Sequence, residues 1–254
     1  MKLDSLQKHW EAFARQDPMW AILTDPGKEN RAWNQAEFYA TGVGQIADML
    51  SWVRWVLPLV KFDQTIDFGC GIGRLTQALA DHAKHVIGVD IAPTMIDVAR
   101  TNNHKPNCEF LCNERADLSV FPDDSVDFVY TSITLQHIPP QYARVYLTEF
   151  FRILKPGGAA CFQLPTAATW DSTALRKAFR LGMQRATSTV GSWLGKPVME
   201  MHGYPEAEMR GLCQQHHMSI VALRPTGAGG PGWSGLEYLA VKALALPGRT
   251  SSDS

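Results

Sequence analysis

Apolar positions along the chain follow two rhythms. From Gly44 to Val60 they recur at helical spacing, with Ile46, Leu50, Val53 and Leu57 on one face, and Pro58 ends or kinks that helix. After it, short apolar runs bounded by turn residues alternate with amphipathic stretches. The pattern predicts strands over Thr65–Phe68, His85–Val89, Glu109–Cys112, Val126–Thr131 and Ala159–Leu164. Helices are predicted over Arg74–His82, Pro93–Arg100 and Gln141–Leu154. Such alternation implies right-handed βαβ units around a parallel sheet. Pro93 suits the first position of its helix, where its missing N–H is harmless. "LKPGG" from Leu154 reads as a helix stop followed by a turn into the next strand.

The flanks keep a different pattern. Residues 1–45 are polar yet rich in Trp and Phe, and are broken at Asp17-Pro18 and in "TDPGK"; they predict two or three short helices forming a cap. Residues 46–246 then read as one domain, interrupted over about 166–203 by a helical insertion with the character of a lid. Tyr204 to His217 predicts a helix, "MSIVALRP" a strand, "GAGGPGW" a loop and "LEYLAVKA" a last strand. Residues 247–254 form a polar tail expected to be disordered.

Composition narrows the classes of function. The 254 residues carry 24 Lys and Arg against 25 Asp and Glu, a net charge of −1. Neither a nucleic acid nor an anionic membrane surface is therefore an expected partner. "WVRWVLPLV", broken by Arg54 and Pro58, is too short to span a bilayer, which needs roughly 20 apolar residues. Eight Trp and nine Met suit an apolar small-molecule pocket as well as a core. Five cysteines and a polar opening stretch lead to the expectation of a reducing, cytoplasmic location. Cys108 and Cys112 lack a second ligand pair at finger spacing, so no metal is expected.

The most informative stretch is "TIDFGCGIGRLT", residues 65–76. A strand, a glycine-rich turn and a helix in that order bring backbone N–H groups against a ligand. A triphosphate-binding loop needs GxxxxGK[ST], and the Lys and the Ser or Thr are missing. A dinucleotide loop needs GxGxxG, whereas Gly69, Gly71 and Gly73 form GxGxG and Arg74 stands where a packing glycine is wanted. Asp67 before the loop would repel a pyrophosphate and suits a ligand with an ammonium or sulfonium group. Asp90, at the end of the next strand, can accept both hydroxyls of a ribose. These residues point to a nucleoside carrying positive charge.

With "IDFGCGIGRLT", "VIGVDIAPTMIDVAR", "NERADLSVFPDDSVDFVYT", "LQHIP" and "FRILKPGG" in one order and spacing, the sequence resembles the class I S-adenosylmethionine-dependent methyltransferases, in particular their small-molecule group. The resemblance covers Thr65 to about Leu164. It implies a Rossmann-like, doubly wound sheet of seven mostly parallel strands with an antiparallel last strand, a helical N-terminal cap and a helical insertion after the fifth strand. It also implies S-adenosylmethionine as cofactor, with Asp67, Gly69, Gly71, Gly73, Asp90 and Ile91 around it. Glu114 and Arg115 fall where the family often has an acid followed by a small residue near adenine, a departure that leaves Asp117 or backbone as alternatives. Thr131 falls near the methyl-bearing end.

His137, in the loop after the fourth strand, is the candidate base; its alternative is a loop-packing residue. Trp33, Tyr39, His202 and Tyr204 are candidate substrate-binding residues, and Trp170, Met183, Trp193, Met199 and Met201 candidate pocket lining. Each of these has core packing, or for His202 and Tyr204 a hinge, as its alternative. The expected function is methyl transfer to an O or N nucleophile of a hydrophobic or aromatic small molecule. The competing readings are a non-catalytic cofactor-binding or regulatory protein and an RNA or protein methyltransferase. The balanced charge and the segment "YTSITLQH" disfavour the last.

Overall fold

The computed structural model describes residues 1–168, 197–227 and 233–244. The strands are β1 (Gln64–Phe68), β2 (His85–Asp90), β3 (Cys108–Cys112), β4 (Val126–Thr131), β5 (Leu154–Ala168), β6 (Met218–Thr226) and β7 (Trp233–Lys242). They form one seven-stranded sheet in the order β3-β2-β1-β4-β5-β7-β6. β1 to β5 pair in parallel, and β7 runs antiparallel to both its neighbours, β5 and β6.

Helices lie on both faces, and the strands show it residue by residue. Phe128 and Tyr130 of β4 enter one apolar core, Val126 and Val129 the other; Ala159 and Cys161 of β5 face away from Ala160, Phe162 and Leu164. This is the two-sided burial expected of a sheet wrapped by crossover helices. The first core is closed by α3 (Gln35–Val56), α4 (Arg74–Ala80) and α5 (Pro93–Thr101), through Ile46, Leu79 and Ile96 among others. The second is closed by α6 (Pro140–Ile153) and α7 (Glu206–Gln215), through Leu147, Phe150 and Met209.

Local signals explain where several helices start. Asn34 caps α3 by accepting from the Glu37 N–H at 3.1 Å, and Pro93 and Pro140 occupy first positions. α3 therefore begins at Gln35, nine residues before the apolar rhythm that betrays it. It runs straight through residue 45, where the sequence suggested a boundary between cap and domain. Its early turns are polar outside, but Phe38 is fully buried and Gly42 packs against Arg74.

β5 is longer than its predicted Ala159–Leu164. Leu154 already pairs with Val126, a register shift absorbs "KPGG", and the strand continues past Pro165 because β7 pairs with it on the other edge. The turn read in "LKPGG" is thus a bulge within the strand, with Gly157 at φ 80°.

The N-terminal cap is two helices, α1 (Leu3–Gln16) and α2 (Pro18–Ile22). Asp17 caps α2 by accepting from the Trp20 N–H at 3.2 Å. The cap is bound to the sheet domain by polar contacts as well as apolar ones. Glu11 of α1 accepts from the Thr94 N–H at 3.0 Å and from its hydroxyl, supplying from outside the cap that α5 lacks in its own sequence. The helical insertion lies largely outside the described residues; its described end, residues 197–203, is neither helix nor strand. The polar tail lies outside them as well. No helix among the described residues is long and apolar enough to cross a membrane.

Candidate functional site

The carboxyl ends of β1, β2 and β4 open into a cleft that, counted together with the solvent at its mouth, holds about 920 Å³, the place where open α/β sheets bind ligands. The glycine loop forms its floor. Gly69 and Cys70 donate their N–H groups to the Val89 carbonyl at 2.7 and 3.0 Å, which ties the loop to β2. Asp90 then braces both sides of the opening: Oδ2 accepts from the Gly71 N–H and Oδ1 from the Ala92 N–H, each at 2.9 Å. Burial pushes the Asp90 carboxyl up, while these backbone bonds pull it back. Ile91 lies beside it, and Asn113, the residue after β3, reaches the same wall by donating its N–H to the Asp90 carbonyl at 2.9 Å.

The roof is the N-terminal cap. Leu6 and Trp10 of α1 and Ala21 and Ile22 of α2 line the cleft, facing Phe68, Ile138 and Tyr146. Gln7 holds this roof down, donating to the Ile91 carbonyl at 3.4 Å and to the exposed Glu114 carboxylate at 2.5 Å. The sequence reading predicted the cap but not that Leu6, Trp10, Ala21 and Ile22 line the cleft, and it missed Asn113. Asn113 had a usable signal, since it follows β3 directly as the extension of the strand-end row that contains Asp90.

His137 lines the cleft, 4% exposed, with its ring edge against Trp10 at 5.5 Å between centroids. Both its nitrogens are engaged. Nδ1 donates to the Glu200 carbonyl at 2.7 Å, since a carbonyl can only accept, and Nε2 accepts from the Gln136 amide at 3.1 Å. The chain continues through Gln136 Oε1, accepting from Gln163 at 3.2 Å, and Gln163 Oε1, accepting from the Ile133 N–H at 3.0 Å. It holds Ile133 at φ 60°, an uncommon conformation for a β-branched residue, on the cleft wall. The geometry thus gives His137 the work of pinning residues 133–137 to the described end of the insertion through Glu200, while Gln136 and Gln163 tie the same loop to β5.

Burial pushes the His137 pKa down to about 4, against the bond to Glu200, so the ring is neutral at neutral pH. An unfolded histidine titrates near 6.5, so the unfolded chain takes a proton that the folded one refuses between about 6.5 and 4. Stability is full above that window and falls as pH drops through it. Buried Asp67, pushed up to about 6 by desolvation, works in the opposite sense between its unfolded value near 3.8 and 6. The stability of His137→Gln is expected to fall less than that of wild type between pH 7.5 and 5, by about 2 kcal/mol. Denaturant melts at the two pH values check this, and equal losses would show that His137 takes up the proton after all.

The other predicted residues scatter. Gly69, Gly71, Asp90, Ile91 and His137 meet in the cleft. Asp67 lies behind the loop, 1% exposed, accepting from the Thr76 hydroxyl at 2.6 Å. Gly73, at φ 83°, faces Phe110 of β3 rather than the cleft, and it supplies the close helix-to-strand contact that Arg74 cannot. Thr131 is buried with an unpartnered hydroxyl, outside the cleft lining; Ser132, Ile133 and Thr134 line it instead.

Glu114 and Arg115 are exposed at the rim, and Asp117 receives the Asn113 amide on its carbonyl at 2.8 Å. Trp33 packs in the cap, donating to the Leu23 carbonyl at 3.1 Å; Tyr39 donates to the Ile72 carbonyl at 2.8 Å from behind the glycine loop. Tyr204 is buried, its hydroxyl 2.9 Å from the Ile138 carbonyl. His202 pairs with Glu200 at 3.2 Å, and its backbone N–H donates to the Gln136 carbonyl. Met199 and Met201 are half-buried, while Trp170, Met183 and Trp193 lie outside the described residues.

Comparison with known proteins agrees with the fold. Residues 66–162 match the family described as "Methyltransferase domain". Over 162 residues the chain is 38% identical to the biotin biosynthesis bifunctional protein BioHC of Cellvibrio japonicus, covering 62% of this chain and 30% of that one. Over 112 residues it is 34% identical to the trans-aconitate 2-methyltransferase of an Enterobacter species, covering 43% and 42%. The chain thus spans less than half the length of these curated relatives. Magnesium protoporphyrin IX methyltransferase from Synechocystis PCC 6803, solved with bound S-adenosylhomocysteine, shares the fold with a TM-score of 0.64 at 18% identity, over 93% of this chain and 98% of that one.

Proposed function

We propose, on the premise that residues 66–162 are a class I methyltransferase domain, that the protein transfers the methyl group of S-adenosylmethionine to an O or N nucleophile on a hydrophobic or aromatic small molecule. The observation that carries this reading is Asp90, a strand-end carboxylate fixed by two backbone N–H groups and facing an otherwise largely apolar cleft. Its remaining lone pairs suit a ribose diol, with Ile91 and Asn113 beside it for the adenine. The amino-acid end falls to the glycine loop. A Cβ at Gly69 would collide with Thr134, and one at Gly71 with Ile22, so only glycines keep this floor open. The cleft's donor set and apolar walls fit the cofactor.

When bound, S-adenosylmethionine supplies a methyl group on a sulfonium for in-line displacement. The chain's own part is alignment and exclusion of water, and alignment of this kind is worth roughly several powers of ten in rate. Trp10 and Ile22 cover the cleft from above; Phe68, Ile138 and Tyr146 give it an apolar wall suited to a hydrophobic acceptor. With both nitrogens of His137 engaged, alignment carries the rate in this reading. Relatives named for small-molecule methylation, such as the trans-aconitate enzyme, support a small-molecule acceptor.

Titration calorimetry tests the reading. S-adenosylmethionine and S-adenosylhomocysteine are expected to bind at micromolar concentrations while NAD does not. Binding of NAD instead, or silence of both nucleosides at high micromolar concentration, would overturn it. Cofactor binding without turnover on a panel of phenols, amines and carboxylic acids would favour the non-catalytic alternative.

A further inference from the structure

One buried charge lining the cleft has no counter-ion at hand. Arg74 follows the glycine loop and is 3% exposed. Its Nη1 donates to the Thr41 hydroxyl at 3.2 Å and its Nη2 to the Gln45 amide oxygen at 2.9 Å, both neutral groups. Its Nε has no partner. Among the described residues no carboxylate lies within ion-pair distance of it. Asp67 and Asp25 act on it from farther away, and burial pulls its pKa down.

Burying a cation without an anion is unfavourable, and a guanidinium offers five donors in a planar fork that matches a carboxylate. Here two donors are spent on aiming the fork. Gln45 is itself held, its amide donating to the Tyr130 hydroxyl at 3.1 Å and the Ser132 hydroxyl at 3.0 Å, so its oxygen is turned toward Arg74. Phe38 supports the guanidinium from a ring centroid 5.9 Å away. The fork is preset while its charge is left unanswered, as a site for an incoming anion requires.

We infer that Arg74, oriented by Thr41 and Gln45, is a carboxylate-binding subsite of the cleft, filled by the amino-acid carboxylate of the cofactor or by a carboxylate on the methyl acceptor. The first source rests on the function proposed above; the second does not. Two variants separate the subsite from a merely structural role. Arg74→Met removes the fork. Gln45→Glu keeps it but offers it an internal carboxylate, which should occupy the subsite without loss of fold.

The experiment is calorimetry with three probes: S-adenosylhomocysteine, 5′-methylthioadenosine, which lacks the amino-acid end, and trans-aconitate, added with and without S-adenosylhomocysteine. If the cofactor fills the subsite, both variants weaken S-adenosylhomocysteine by about 10- to 100-fold and leave methylthioadenosine unchanged. If the acceptor fills it, both nucleosides bind normally and only the wild-type protein takes up trans-aconitate. Variants that bind all three probes like wild type overturn the subsite. Wild-type protein that binds neither nucleoside overturns the proposed function instead, and the trans-aconitate arm then decides the subsite by itself.

Discussion

Replacing Asp90 by Ala is expected to weaken S-adenosylhomocysteine binding by about 10- to 100-fold, from the loss of charge-assisted bonds to the ribose hydroxyls. The same change frees the Gly71 and Ala92 N–H groups that the carboxylate now holds at 2.9 Å. Each buried donor left unpaired costs about 1–3 kcal/mol, so the ligand-free protein should also melt earlier. Asn is a poor rescue: its amide oxygen can accept one of the two bonds, and its NH2 then faces the other donor. Calorimetry on folded variant protein checks the affinity, and an unchanged value would remove Asp90 from the cofactor site.

Replacing Gly69 by Ala is expected to cost about 2–4 kcal/mol of stability, the sum of left-handed strain and overpacking. At φ 75° the new Cβ would stand 2.1 Å from the Thr134 methyl and 2.3 Å from its hydroxyl oxygen, far inside contact distance. Relief requires the loop after β4 to move, and that loop is held by the Gln163–Gln136–His137 chain. Thr134→Ala removes the two nearest atoms and should recover part of the loss in the double variant. Strict additivity of the two changes in denaturant melts would show that the loop yields without resistance.

Much of the fold was legible because the central strands β1 and β4 are buried on both faces and bounded by turns, so their apolar runs stand out from the helices around them. Val126–Thr131 was placed to the residue. The extra length of β5 was not, since residues past Leu164 are strand only because β7 lies alongside, a contact between positions some 70 apart. The glycine loop and Asp90 could be read from sequence because they follow their strands directly. The roof could not: Gln7 meets Glu114 across 107 residues, and no local pattern encodes that distance. Trp33 and Tyr39 illustrate the limit of composition. Aromatics near a binding loop can close over the ligand or support its surroundings, and here Trp33 bonds the Leu23 carbonyl within the cap while Tyr39 bonds the Ile72 carbonyl of the loop.

The strand order has a consequence for synthesis. Among the described residues β6 has no sheet neighbour except β7, which is made after it and lies between it and β5. A chain leaving the ribosome at roughly 5–20 residues per second therefore carries β6 as a strand with both edges unpaired until residues 233–242 follow. The parallel part of the sheet, complete through β5, can form meanwhile, with the β5 edge open to the solvent. One late strand closes the β5 edge and one edge of β6 at once, so the interval before it arrives is when this protein most needs protection from association with its neighbours.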